Sequence, residues 1–170
     1  MKFLFSLFFC FIFTFYFSQE NYNTAIGIKG GYPSFGSLNI KHRLKKKDNS
    51  SLFHPSIEAS IGGSAIGVSS SGIIVEGAYE LNSPLKEDGL EWYYGGGIVI
   101  GIVKEADINT EFGMKNSLLT GLKGVIGIEY TFEDFPLNIA LDTGPLILFT
   151  PNISFTWTGG LAIRYCLFNK

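Results

Sequence analysis

The chain has 170 residues, 46% of them hydrophobic, with a net charge of −2, 21 glycines and 16 phenylalanines. This length fits a single domain, and the lack of a basic excess argues against nucleic acid as a partner. Only two cysteines are present, and Cys10 lies in the N-terminal segment, so a framework of internal disulfides is excluded.

The first 18 residues have the pattern of a secretory signal peptide. Lys2 supplies a charged start, residues 3–17 are almost entirely apolar, and the small Ser18 precedes a polar flank. The apolar run is short for a membrane-spanning helix, and no basic stop-transfer segment follows it. We therefore predict that residues 1–18 are a cleaved signal peptide and that residues 19–170 form one exported domain.

The rest of the chain alternates between apolar residues and small or polar residues with a period of two, which is typical of β-strands. The clearest run is 121–132, in which Ile126 and Ile128 alternate with Gly127 and Glu129. Turn signals separate the alternating runs. In chain order, the predicted strands cover residues 24–32, 37–44, 53–63, 73–81, 90–102, 121–132, 137–149 and 156–168.

Eight strands with short connections predict a closed barrel. Parallel strands need long crossover connections, so neighbouring strands should be antiparallel. An even number of strands can close on itself and leave no exposed edge. The expected fold class is all-β, an eight-stranded antiparallel up-and-down transmembrane β-barrel.

The composition of the two strand faces favours a membrane barrel over a soluble one. The non-apolar face is rich in Gly, Ala and Ser, which suit a crowded lumen, whereas a water-facing surface favours long charged side chains. Its charges are nearly balanced, as expected for ion pairs enclosed in a barrel. The predicted lumen charge network consists of Lys29, Lys41, Arg43, Glu58, Glu76, Glu80, Glu91, Lys123, Glu129, Asp142 and Arg164.

Aromatic residues lie near the ends of the apolar faces, where membrane barrels carry girdles at the level of the lipid headgroups. Ordinary cross-strand packing is the alternative explanation for any one of them. The predicted aromatic girdle consists of Trp92, Tyr94, Tyr130, Phe132, Trp157, Tyr165 and Phe168.

The stretches "AIGIKGGYP", "LEWYYGGGIVIG", "GVIGIEYTFEDFPLNIALD" and "GGLAIRYCLF" resemble small eight-stranded outer-membrane β-barrel proteins of Gram-negative bacteria, with an architecture similar to that of OmpX and OmpW. The resemblance covers most of residues 23–168. It implies an outer-membrane location, contact with outer-membrane lipid, and recognition of the C-terminal strand by the barrel-insertion machinery. Phe168 departs from the family's C-terminal signature because Asn169 and Lys170 follow it.

No motif in the sequence predicts catalysis, a cofactor or a metal ion. "WYYGGG" lacks the helix and the Lys-Ser/Thr pair of a phosphate-binding loop. The two histidines are too sparse for a metal site, and His54 with Ser56 or Ser60 lacks a third catalytic partner. We therefore predict a non-enzymatic protein with no catalytic residues and an unknown ligand.

Loops 62–71 and 104–116 are the candidates for contact with ligands, host surfaces or neighbouring proteins.

The alternative to a membrane barrel is a secreted, soluble, lipocalin-like barrel that carries a small apolar ligand. This alternative requires the apolar strand faces to point inward.

Overall fold

The computed structural model describes residues 22–45, 52–64, 72–106 and 114–167. The predicted signal peptide and Phe168 lie outside these residues, as do residues 65–71 and 107–113 of the two predicted contact loops. The described residues contain no helix that is long and apolar enough to cross a membrane. They form the strands β1 (Thr24–Tyr32), β2 (Ser34–Arg43), β3 (His54–Ser64), β4 (Gly72–Pro84), β5 (Leu90–Ala106), β6 (Met114–Thr131), β7 (Leu137–Thr150) and β8 (Ser154–Leu167).

The strands form a closed antiparallel barrel in chain order. Each strand pairs antiparallel with the next, and β8 pairs antiparallel with β1. The closing seam is regular and runs from the pair Thr24–Leu167 to the pair Tyr32–Gly159. The predicted all-β, eight-stranded, up-and-down fold is therefore confirmed, and this architecture is compatible with that of OmpX.

The two ends of the barrel differ in their connections. At the terminal end, defined by Tyr22 and Leu167, lie the connections β2–β3, β4–β5 and β6–β7. The opposite, distal end carries the connections β1–β2, β3–β4, β5–β6 and β7–β8.

The β5–β6 hairpin is longer than the hydrophobic alternation predicts. The alternation places a connection over residues 104–116, whereas β5 continues to Ala106 and β6 begins at Met114. The prediction was wrong here because alternation reports burial rather than backbone pairing, and polar residues such as Lys104 and Asn116 pair within the ladder. The hairpin therefore extends towards the distal end beyond Val103, where the described pairing of β5 with β4 ends.

Side chains alternate between the interior and the exterior of the barrel, as a two-residue period requires. In β8, Arg164 is fully buried, while its neighbours Ile163 and Tyr165 are exposed. In β6, Lys123 is buried, whereas Ile128 is 50% exposed. The apolar strand faces therefore point outward, and the charged faces point into the lumen.

The interior also contains an apolar cluster at the distal end. Sequence reasoning predicted only small, polar or charged residues on the inward face, and this part of the prediction was incomplete. Near the distal end, "GIVIGIV" in β5 and "LIL" in β7 are apolar on both faces, so alternation could not separate the inward residues from the outward ones. The cluster packs against Tyr32 and consists of Ile74, Val99, Val103, Leu119, Leu146 and Leu148.

Glycine on the inward face allows β1 and β8 to approach closely. A Cβ atom at Gly27 would collide with the carbonyl oxygen of Ile163 and the Cα of Arg164. Both obstacles are backbone atoms, so a larger residue could fit only if the two strands separated. By contrast, a Cβ at Gly77 in β4 would meet nothing within 4 Å.

This contrast predicts different effects for the same substitution. Gly27→Ala should lower the stability of the folded barrel by about 1–3 kcal/mol, as overpacking typically does. Gly77→Ala is the matched control and should be neutral or slightly stabilising, because alanine reduces the entropy of the unfolded chain. Urea titration followed by tryptophan fluorescence measures both, and equal midpoints would contradict the close β1–β8 approach.

Candidate functional site

The candidate site is the polar interior of the barrel. All eleven residues of the predicted lumen charge network are buried there, and every strand contributes at least one of them. Among the described residues, the buried charged side chains are Lys29, Lys41, Arg43, Lys123 and Arg164 on the basic side, and Glu58, Glu76, Glu80, Glu91, Glu129 and Asp142 on the acidic side.

Glu129 in β6 is the central acceptor of the network. Its Oε2 accepts a hydrogen bond from Lys41 Nζ at 2.8 Å. Its Oε1 accepts bonds from Arg43 Nη2 at 3.0 Å, Asn82 Nδ2 at 3.0 Å and the Tyr22 hydroxyl at 3.1 Å. Four donors from different parts of the chain thus compensate the cost of burying this carboxylate.

Arg164 in β8 uses its guanidinium to bridge several strands. Its Nε donates to Asn39 Oδ1 at 2.5 Å, and its Nη1 donates to Asn138 Oδ1 at 2.9 Å. Its Nη2 pairs with Glu58, and its Nη1 lies 3.6 Å from Glu129 Oε2. The planar guanidinium has five N–H donors, so it can donate hydrogen bonds to acceptors on several strands at once.

A second group of contacts joins β1 to β3 and β7. Lys29 Nζ donates to Glu58 Oε1 at 2.7 Å and to Asp142 Oδ2 at 2.6 Å. The Tyr93 hydroxyl donates to the same Asp142 oxygen at 3.1 Å, and the Tyr93 ring lies under Lys41 Nζ, 4.0 Å from the ring centre. The network is therefore continuous from Lys29 to Glu129.

At the terminal end of the lumen, the buried aromatic side chain of Tyr22 packs against the charge network. Arg43 forms a two-pronged ion pair with Glu91, at 3.1 and 2.5 Å, and its guanidinium lies 4.5 Å from the centre of the Tyr22 ring. Burial, reinforced by the nearby Glu129 carboxylate, raises the pKa of the Tyr22 phenol, which precedes β1. Tyr22 is therefore a protonated hydrogen-bond donor at neutral pH.

A small cavity borders the network in the distal half of the lumen. Its volume is about 10 Å³, and its lining includes Lys29, Glu76, Lys123, Asp142 and Thr158. This volume fits about one water molecule. Lys123 Nζ donates to Glu76 Oε2 at 2.7 Å beside it.

Several uncharged members of the network were not predicted from the sequence. The inward tyrosine Tyr93 and the asparagines Asn39, Asn82 and Asn138 are buried and bond to the charged groups. The alternation could have identified two of them. Asn39 lies two residues from Lys41 in β2, and Asn138 lies four residues from Asp142 in β7, so each shares the inward face with a charged residue. Buried charged groups need hydrogen-bond partners, and polar residues on the same face of the strand can supply them.

The predicted aromatic girdle residues fall into two groups. Near the terminal end lie Trp92, Tyr94, Tyr130, Phe132 and Tyr165. Within this terminal band, Trp92 stacks on Tyr94 at 5.4 Å, and Tyr130 meets Phe132 edge-on at 4.8 Å.

Trp157 lies near the other end of the barrel. It contacts Phe155 edge-on at 6.4 Å, and both side chains are exposed. With the exposed Phe35 and Phe149, this pair forms a distal band. Phe168 lies outside the described residues.

The histidines, serines and acids of the described residues can be compared with the requirements of a metal site. No group of three or more His, Cys, Asp or Glu among them is placed to hold a metal ion. The hydroxyl of Ser56 donates to Asn82 Oδ1 at 2.7 Å inside the lumen. His42 lies on the exterior and bonds through Nδ1 to Thr24 Oγ1 at 2.8 Å.

Comparison with known proteins yields no assignment, since neither a protein-family model nor a curated protein sequence matches the chain. The resemblance to outer-membrane barrels therefore rests on the residues quoted above and on the architecture of the barrel.

Proposed function

We propose that this protein is a non-enzymatic outer-membrane β-barrel of a Gram-negative bacterium, with a plugged polar lumen and a structural or surface-interaction role. It is exported with a signal peptide that is cleaved near Ser18. The observation that carries the proposal is an apolar belt on the outer face of all eight strands, combined with a charged interior.

The apolar belt is continuous around the barrel. Every strand exposes isoleucine, leucine, valine or an aromatic residue to the exterior, at positions that alternate with buried ones. Soluble proteins rarely expose contiguous apolar surface of this extent, whereas lipid-facing strands require it. Examples, one from each strand, are Ile28, Leu38, Ile61, Val75, Ile100, Ile126, Leu141 and Leu161.

The height of the belt agrees with the thickness of a bilayer. On β8, Phe155 belongs to the distal band and Tyr165 to the terminal band. Ten residues at about 3.3 Å each, in a strand tilted by about 40°, span about 25 Å along the axis. The apolar band of outer-membrane barrels is also about 25 Å tall.

The interior favours a plugged barrel over a ligand carrier. A lipocalin-like protein needs an apolar cavity for its ligand, whereas the cavity beside Lys29 and Glu76 in this lumen has a volume of about 10 Å³ and is lined mainly by charged residues and glycines. The larger concavity, about 390 Å³, is an open groove on the outer face between Trp92, Ile128 and Leu141. An eight-stranded barrel has room for side chains but not for a water-filled channel.

The proposal includes an orientation and two partners. The terminal end faces the periplasm, so the distal end, with the long β5–β6 hairpin, faces outward, and loops 62–71 and 104–116 are the candidates for contact with ligands, host surfaces or neighbouring proteins. Outer-membrane lipid surrounds the belt, and the barrel-insertion machinery reads the C-terminal strand.

Cell fractionation tests the location directly. We expect the protein in the outer-membrane fraction, released only by detergent, and we expect unboiled samples to migrate differently from boiled ones on a gel. Recovery in the periplasm or the medium without detergent would instead support the soluble carrier.

A charge placed on the belt tests which environment surrounds it. Leu161 in β8 lies midway between the aromatic bands and is 49% exposed. Leu161→Arg should cost about 2–4 kcal/mol of unfolding free energy in lipid vesicles, the range for arginine at the bilayer midplane. Leu85→Arg, in the exposed β4–β5 turn, is the control and should cost little; equal stability of the two variants would argue for a belt in water.

A further inference from the structure

The buried charges that the structure describes do not balance. Among the residues whose side chains are described, five basic and six acidic side chains are buried in the lumen. If every one of these eleven were ionised, together they would carry one uncompensated negative charge. A buried carboxylate without a partner is much more costly than a neutral carboxylic acid.

Five of the six acids accept hydrogen bonds. Glu58, Glu76, Glu91 and Asp142 each accept at least one bond from a lysine or an arginine, and Glu129 accepts two such bonds. Each of these five carboxylates therefore has a cationic donor that stabilises its ionised form.

Glu80 in β4 is different. Its side chain is fully buried, yet neither Oε1 nor Oε2 accepts a hydrogen bond from the described residues. Lys41 Nζ forms an ion pair with Oε2 at 2.9 Å, and the same ammonium group donates a hydrogen bond to Glu129 Oε2 at 2.8 Å.

Among the described residues, the ion-pair partner of Glu80 is Lys41. The ionisable groups around Glu80 include Lys41 from β2, Glu58 from β3, Tyr93 from β5 and Glu129 from β6. Two of these four are carboxylates that already have partners, and the only cation among them is shared with Glu129.

We propose that Glu80 is a proton-binding site and that the proton it carries makes the lumen electrically neutral. The sixth negative charge is thereby removed at the one acid that has no hydrogen-bond donor, and Lys41 remains committed to Glu129. This inference concerns only the interior of the barrel and holds whether the outer face meets lipid or water.

Infrared spectroscopy of the folded, full-length mature protein tests the proposal. At neutral pH, we expect a carbonyl stretch of a protonated carboxylic acid, at higher frequency than the amide and carboxylate bands. Glu80→Gln should abolish this band. Glu133→Gln, which changes an exposed acid in the β6–β7 turn, should leave it unchanged. A wild-type spectrum without the band would overturn the proposal, as would a band that persists in Glu80→Gln.

Stability provides a second measurement. Glutamine closely matches a neutral glutamic acid in shape, so Glu80→Gln should keep the urea midpoint of the wild-type protein. Glu91→Gln removes the ionised partner of Arg43 and should lower the midpoint. If Glu80→Gln lowered the midpoint as much as Glu91→Gln does, Glu80 would be an ionised partner of Lys41 and the proposal would be wrong.

Discussion

Replacing Glu129 by leucine is expected to destabilise the barrel more than any other single change in the lumen. The substitution removes the acceptor of Lys41, Arg43, Asn82 and Tyr22 at once. Two buried cations then lose their shared carboxylate, and breaking a buried ion pair in this way costs about 3–5 kcal/mol. Replacement by an apolar residue is tolerated only when all charged partners are removed together.

Urea unfolding in detergent micelles measures the effect of Glu129→Leu. Glu133→Leu is the matched control, because Glu133 lies four positions later, in the exposed turn between β6 and β7. Its midpoint should stay close to that of the wild-type protein. If both variants unfolded at the same urea concentration, Glu129 would not be the central acceptor described above.

Arg164→Leu is expected to have the second largest effect. Arg164 is fully buried and binds Asn39, Glu58 and Asn138 through three different nitrogen atoms. Its loss leaves Glu58 with Lys29 as its remaining partner and leaves two buried amide oxygens without a donor. Lost charge compensation and unsatisfied polar groups together should cost about 3–5 kcal/mol.

Lys86→Leu provides the comparison for Arg164→Leu, since Lys86 is exposed in the β4–β5 connection. This variant should unfold within about 0.5 kcal/mol of the wild-type protein, as is usual for surface substitutions. If Arg164→Leu and Lys86→Leu had the same urea midpoint, the bonds of Arg164 would add nothing to the stability of the barrel.

The number of strands and the direction of their faces could be predicted from the sequence, because both depend on a local pattern. Alternation in runs such as 121–132 shows which residues share a face. The excess of small and oppositely charged residues on one face then predicts which side is enclosed. These features do not depend on how far one strand is shifted against the next.

The partners of the charged residues could not be predicted in the same way. Lys41 in β2 stands directly opposite Glu58 in β3. The Lys41 ammonium group nevertheless donates a hydrogen bond to Glu129 in β6. Glu58 instead accepts hydrogen bonds from Lys29 and Arg164. Contacts across a lumen depend on the shear of the barrel, which a local sequence pattern does not encode.

The apolar cluster at the distal end was missed for a related reason. Leu146 and Leu148 in β7 alternate with Ile147 and Phe149, so both faces of this segment are apolar. In such a segment hydrophobicity no longer distinguishes inside from outside, and only the parity counted from Asp142 assigns Leu146 and Leu148 to the lumen.

The seam between β1 and β8 has a consequence for the order of assembly. Lys29 bonds to Asp142, and Arg164 bonds to Asn39, across 113 and 125 positions of the chain. Contacts so distant in sequence form late, since a large loss of chain entropy precedes them. In a sheet that has not yet closed, these groups would lack the partners across the seam that they have in the folded barrel. We therefore expect closure of the barrel and pairing of these buried groups to occur together.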